Sequence, residues 1–96
     1  MKNQANINDA VDLLKRLIAT PSVSRDEAAA ADVMEGYMQE KGLSPQRSGN
    51  NLWCVSDGFD AEKPTILLNA HIDTVKPVAG WQRDPFTPVV EDGRLY

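Results

Sequence analysis

The chain has 96 residues, 42% of them apolar and 25% charged, which predicts one small globular domain and excludes a disordered chain. A formal net charge of -4 without a basic cluster argues against a nucleic-acid partner, and no apolar run approaches the length of a membrane span. Residues 1–6 lack the apolar core of a secretory signal. The one cysteine, Cys54, favours a reducing, cytoplasmic compartment, and we expect it to be buried as a small apolar side chain.

An amphipathic helix is predicted over residues 7–19. Its apolar positions recur at steps of three and four residues: Ile7, Val11, Leu14, Leu17 and Ile18. We expect Asn6 or Asn8 to cap its start. Pro21 disfavours helical geometry at Thr20, so the helix should end there.

A second helix is predicted to run to about Lys41. Ser24 and Glu27 form the Ser-x-x-Glu pattern of a capping box, which typically starts a helix. Gly42 is placed to end it as the residue after the cap, with Leu43 folding back.

The second half of the chain changes to strand and turn patterns. We predict a weak strand over 43–48, a strand over 51–56, and a hairpin whose turn is Asp92-Gly93. The strongest candidate is 65–72, which is apolar on both faces at its start and should lie in a sheet covered by helices. This order of helices and strands predicts an α/β layered domain.

His71, the single histidine of the chain, follows this apolar run, and Asp73 lies two residues further on. On a strand, that spacing puts both side chains on one face with Cα atoms about 6.6 Å apart. A zinc-binding imidazole usually donates its second N–H to such a carboxylate, which fixes the tautomer. A His-x-Asp triplet alone favours a hydrogen-bonded structural histidine, and the strand before it and the Pro/Gly/aromatic loop after it favour a metal site.

Four segments together resemble the acetylornithine deacetylase, succinyl-diaminopimelate desuccinylase and aminoacylase family of zinc metallopeptidases and deacylases. They are 69–77 (Asn-Ala-His-Ile-Asp-Thr-Val-Lys-Pro), Gly80–Phe86 (Gly-Trp-x-x-x-Pro-Phe), Asp92–Tyr96 (Asp-Gly-Arg-Leu-Tyr) and Leu17–Ser24 with its Pro-Ser-Val turn. The resemblance covers most of the chain, and the combination of motifs is specific where each alone is not.

The resemblance implies that His71 binds zinc and that Asp73 serves the catalytic site as the carboxylate that orients His71. The complete site would hold two divalent ions, zinc or alternatively cobalt. The implied fold is the N-terminal part of a three-layer α/β/α zinc-exopeptidase-like catalytic domain. Residues 1–96 would be its N-terminal fragment, with the rest of that domain and a lid domain, through which family members often form homodimers, outside the chain.

The implied function is hydrolysis of an N-acylated amino acid, with N-acetylornithine, in arginine biosynthesis, as the preferred substrate. Succinyl-diaminopimelate desuccinylase, or a dipeptidase or aminoacylase, is the alternative. A catalytic zinc needs about three protein ligands. The spacing of Asp84, Glu91 and Asp92 in the sequence does not favour any of them as a further ligand. We therefore expect the 96 residues alone to be inactive. A different class of function is a truncated, non-catalytic α/β module that binds a partner through exposed Trp81 and Phe86.

Overall fold

Two helices followed by two short β-hairpins make up the regular structure of the chain. The computed structural model describes residues 2–96. The helices and strands are α1 (Lys2–Ile18), α2 (Ala28–Glu40), β1 (Gln46–Ser48), β2 (Asn51–Trp53), β3 (Val90–Glu91) and β4 (Arg94–Leu95). The mixed α/β class is therefore confirmed. No helix among these residues combines the length and the apolar character needed to cross a bilayer.

Helix α1 is longer at its start than the apolar period predicted. It begins at Lys2, so the expectation that Asn6 or Asn8 caps it is wrong. Both asparagines lie inside the helix, where the Asn8 side chain accepts a hydrogen bond from Gln4 at 3.0 Å, one turn earlier. The predicted end is confirmed, because Ile18 is the last helical residue.

Helix α2 ends as predicted but starts differently. The capping box is wrong: the helix begins at Ala28, and Glu27 precedes it without a side-chain cap. Arg25 adopts a left-handed φ of 71° between Ser24 and Glu27, which disrupts the regular spacing that a reciprocal cap requires. At the other end, Gly42 has a φ of 77° and the Leu43 amide donates to the Met38 carbonyl at 3.0 Å. This is the predicted glycine termination with a returning leucine.

Two antiparallel hairpins replace the longer predicted strands. β1 and β2 pair Gln46 with Trp53, and β2 ends there rather than at residue 56. Cys54 consequently lies past the end of the strand and is exposed, so the prediction of a buried cysteine is wrong. The second hairpin, β3–β4, is confirmed around Asp92 and Gly93, whose φ angles of 51° and 74° fit a type I′ turn.

Arg47 joins the first hairpin to helix α2. Its Nη1 lies 2.6 Å from a carboxylate oxygen of Asp32 and 3.3 Å from one of Glu35. Its Nε also donates to the Gly49 carbonyl at 2.8 Å, inside the hairpin turn. Hydrogen bonding to Asp32 is the main reason that the pKa of Arg47 is raised. The guanidinium thus fixes the turn and the helix face relative to each other.

Residues 65–72 are not a strand in this structure, which overturns the strongest strand prediction. The segment has no regular secondary structure and belongs to no sheet. Ile66, Leu67 and Leu68 are 86%, 82% and 90% exposed. A strand needs a neighbour to accept and donate its backbone hydrogen bonds, and neither hairpin within residues 2–96 pairs with this segment. The apolar sequence is therefore present without the layer that would cover it.

The core of the chain is small. Its buried apolar residues in the described range are Ala30 and Ala31, at 1% and 0% exposure. The accessible surface is 7957 Å², whereas a folded monomer of this mass is expected to expose about 5,500 Å². Apolar surface thus remains in contact with water over much of the second half of the chain.

Asp84 organises the loop before the second hairpin. One carboxylate oxygen accepts from the Phe86 amide and the other from the Thr87 hydroxyl, both at 2.9 Å. These two bonds, the amide first, lower the pKa of Asp84 because they favour its charged form. A depressed pKa stabilises the loop above the ordinary aspartate pKa, and this stabilisation is lost as the pH falls through the depressed value.

We therefore predict an acid transition confined to this loop. The Phe86 amide chemical shift, followed by NMR against pH, should show an inflection below the usual aspartate range. Asp84→Asn should abolish that inflection, whereas Asp57→Asn, in an exposed loop, should leave it unchanged. An inflection at the ordinary aspartate pKa would show that the two hydrogen bonds do not hold the carboxylate.

Candidate functional site

His71 and Asp73 are in contact, although the strand that was expected to bring them together has not formed. The Nδ1 atom of His71 lies 2.9 Å from the Asp73 Oδ1 atom. The same nitrogen lies 3.0 Å from the backbone carbonyl oxygen of Asp73. One aspartate therefore contacts a single ring nitrogen through two oxygens, one from the side chain and one from the backbone.

This contact determines which ring nitrogen carries the proton. A carboxylate and a carbonyl oxygen can only accept, so Nδ1 must be the donor. In a neutral imidazole the proton on Nδ1 leaves the Nε2 lone pair free. The His71 side chain is 84% exposed, whereas that of Asp73 is 38% exposed. The free nitrogen therefore belongs to an accessible ring, in the tautomer that a metal ligand requires.

The loop between the two helices holds the segment that carries this pair. Val23 and Thr74 form an isolated parallel β-bridge. The Thr74 amide donates to the Ser22 carbonyl at 2.9 Å. These contacts join residues about fifty positions apart, so the Pro-Ser-Val turn of the sequence lies directly beside the His71 segment.

Two cavities flank residues 74–76. The first, of about 550 Å³, contains both members of the pair and is lined by Val23, Ser24, His71, Asp73, Thr74, Val75 and Lys76. The second, of about 370 Å³, is mainly apolar and includes Leu17, Ile18, Trp81, Phe86 and Tyr96 in its lining. Only the first offers a titratable imidazole beside a carboxylate, and we therefore take it as the candidate site.

The described residues supply one part of a metal centre. Within 2–96, no three His, Cys, Asp or Glu side chains lie close enough together to hold an ion. The other acids that could serve as ligands have different contacts. The Asp84 carboxylate accepts hydrogen bonds from its own loop, and the Glu91 carboxylate lies 2.8 Å from Arg83 Nη2. Asp92 forms the hairpin turn. His71 thus fits a single ligand position, and residues 2–96 do not bring together the three ligands of a catalytic zinc.

Curated relatives match nearly the whole chain. It is 31% identical to a succinyl-diaminopimelate desuccinylase of Delftia acidovorans over 96 residues, covering 90% of the chain and 25% of the relative. The enzyme of the same name from Blochmanniella floridana is 32% identical, with 94% and 25% covered. The one from Stenotrophomonas maltophilia is 37% identical, with 90% and 24% covered. No protein-family model matches the chain.

The chain belongs to the acetylornithine deacetylase, succinyl-diaminopimelate desuccinylase and aminoacylase family, as its four motifs indicated. Within that family, these relatives are succinyl-diaminopimelate desuccinylases, and the chain spans about a quarter of their length. The roles of His71 and Asp73 remain predictions, which the observed contact supports through its geometry.

The contact with Asp73 leads us to predict the tautomer of the His71 imidazole. Because His71 is the single histidine of the chain, its ring gives one set of nitrogen signals in a proton–nitrogen NMR spectrum. At a pH where the ring is neutral, we expect the Nδ1–H tautomer to predominate. Asp73→Ala removes one of the two acceptors and should raise the Nε2–H fraction severalfold, whereas Asp57→Ala should not. A wild-type ring that is mainly Nε2–H would refute the contact.

Proposed function

We propose that the chain is the N-terminal part of the catalytic domain of a metal-dependent hydrolase that removes the succinyl group from N-succinyl-diaminopimelate. The observation that carries the proposal is the contact between His71 Nδ1 and Asp73, made by an imidazole whose side chain is largely exposed. It occurs in a chain that resembles desuccinylases over about nine-tenths of its length. A pair with this geometry is suited to metal binding.

The relatives favour the desuccinylase over the preferred sequence-based expectation. Motifs alone suggested N-acetylornithine as the substrate, with the desuccinylase as an alternative. The relatives described above carry the desuccinylase name, so the alternative fits better. The two substrates differ in the acyl group and in the amino acid. The His-x-Asp pair would act on the amide that both substrates share, so it does not distinguish between them.

Each residue of the pair has a defined task in the proposed reaction. His71 offers Nε2 as one ligand, and Asp73 holds the proton on Nδ1 so that this lone pair stays available. A bound zinc, or a pair of divalent ions, would polarise the amide carbonyl and acidify water. Hydrolysis adds water across the amide and releases succinate and the free amine. The remaining ligands and a carboxylate general base would come from sequence outside the chain.

The exposed apolar run supports the larger fold that the family resemblance implies. Ile66, Leu67 and Leu68 are almost fully exposed, and such patches mark surfaces that another layer covers. We propose that, in the whole protein, residues 65–72 join the sheet of a three-layer α/β/α domain. The competing hypothesis of a non-catalytic module, with Trp81 and Phe86 as its contacts, has weaker support because the relatives named above are enzymes.

A cytoplasmic location, a lid domain and a homodimer are part of the same proposal. Their support is the family resemblance and the use of a single cysteine, Cys54.

The test uses the full-length protein with zinc. We expect a higher kcat/KM for N-succinyl-diaminopimelate than for N-acetylornithine. His71→Ala should lower kcat/KM by more than the about 10–100-fold typical of losing a supporting carboxylate, because it removes a ligand rather than its support. The bound zinc should fall in parallel, as measured by elemental analysis.

Gln39→Ala is the matched control, since Gln39 is an exposed residue of α2. It should leave both the activity and the metal content unchanged. Preferential hydrolysis of N-acetylornithine would contradict the desuccinylase proposal and favour a deacetylase. Full activity and unchanged zinc in His71→Ala would remove His71 from the site.

A further inference from the structure

Ser22 is the buried polar residue of the described chain, at 5% exposure. Its hydroxyl donates to the backbone carbonyl of Ile72 at 3.0 Å. Its own carbonyl accepts from the Thr74 amide at 2.9 Å. The two bonds reach the residues immediately before and after Asp73. A single serine therefore holds the backbone on both sides of the aspartate that contacts His71.

This double contact is important because no sheet supports the segment. Residues 71–73 lie outside every helix and strand described for the chain. Asp73 presents both its carboxylate and its backbone carbonyl to the His71 Nδ1 atom. Both oxygens can reach one nitrogen only if the backbone at Asp73 has a fixed orientation. The bonds to Ile72 and Thr74 provide that fixation.

We propose that Ser22 is a positioning residue for the His71–Asp73 pair. Its hydroxyl fixes the Ile72 carbonyl, which sets the peptide plane leading into Asp73 and so holds the His71 ring in the Nδ1–H tautomer. The geometric part stands on the contacts above, and its effect on catalysis rests on the proposed function. The sequence around Ser22 indicates only a turn.

Burial is the reason that the hydroxyl is sensitive to substitution. Removing it leaves the Ile72 carbonyl without this donor in a partly buried place. Ser22→Ala should therefore loosen the segment at Ile72, although the amide of Thr74 can still bond to the backbone at position 22. The β1–β2 hairpin takes no part in either Ser22 hydrogen bond, so its fold should not change.

The first readout is the tautomer of the His71 ring, measured by proton–nitrogen NMR on the 96-residue chain at a pH where the ring is neutral. Ser22→Ala should raise the Nε2–H fraction severalfold, because the lost hydrogen bond no longer fixes the two Asp73 acceptors. Ser22→Thr keeps a hydroxyl and should restore the wild-type tautomer. Ser56→Ala makes the same change at an exposed position and should have no effect.

The second readout is steady-state kinetics of the full-length enzyme on N-succinyl-diaminopimelate. Ser22→Ala should lower kcat by about 10–100-fold, the range for residues that orient a metal ligand, with KM nearly unchanged. Ser22→Thr should recover most of kcat, and Ser56→Ala should match the wild type.

Three results would overturn the positioning role. They are an unchanged His71 tautomer in Ser22→Ala, a Ser22→Thr variant that behaves like Ser22→Ala, and a loss of hydrogen-exchange protection in Ser22→Ala at the Leu43 amide, which donates to the Met38 carbonyl at the end of α2. The last result would assign Ser22 to general folding. A wild-type enzyme without desuccinylase activity would refute the proposed function instead, and the tautomer measurement would still decide the role of Ser22.

Discussion

The site depends on one constraint: a single nitrogen of His71 faces two acceptors that belong to the same aspartate. This arrangement sets the tautomer, and the tautomer makes Nε2 available to an electrophile such as a metal ion. It survives without a sheet because Ser22 bonds to both neighbours of Asp73. Much of the remaining second half of the chain is exposed, and the two Ser22 bonds connect this segment to the loop between the helices.

Elements encoded by local sequence could be predicted. Helix α2 ends just before Gly42, because glycine adopts a left-handed φ at little steric cost. The Asp92-Gly93 pair likewise tolerates the positive φ angles of its hairpin turn. The His71–Asp73 contact was also predictable, since two residues so close in sequence can meet in a strand or in an extended segment. The starts of both helices were missed for different reasons. Helix α1 extends back through polar residues to Lys2, whereas α2 begins only at Ala28, after the left-handed Arg25.

Features that depend on distant partners could not be predicted. Residues 65–72 have the composition of a buried strand, but burial requires a covering layer that residues 2–96 do not supply. Cys54 is exposed for a related reason, because its strand ends one residue earlier. The role of Ser22 involves a partner fifty positions away, and its local sequence indicates only a turn. The substrate likewise depends on contacts that the shared His-x-Asp motif does not make.

The central claim is that Asp73 prepares the Nε2 atom of His71 to bind a metal ion. Anomalous diffraction at the zinc edge, from crystals of the full-length protein, tests it most directly. We expect a zinc peak about 2.0–2.1 Å from His71 Nε2, with Nδ1 still in contact with Asp73. Zinc bound to Nδ1, or a zinc site from which His71 is absent, would contradict it.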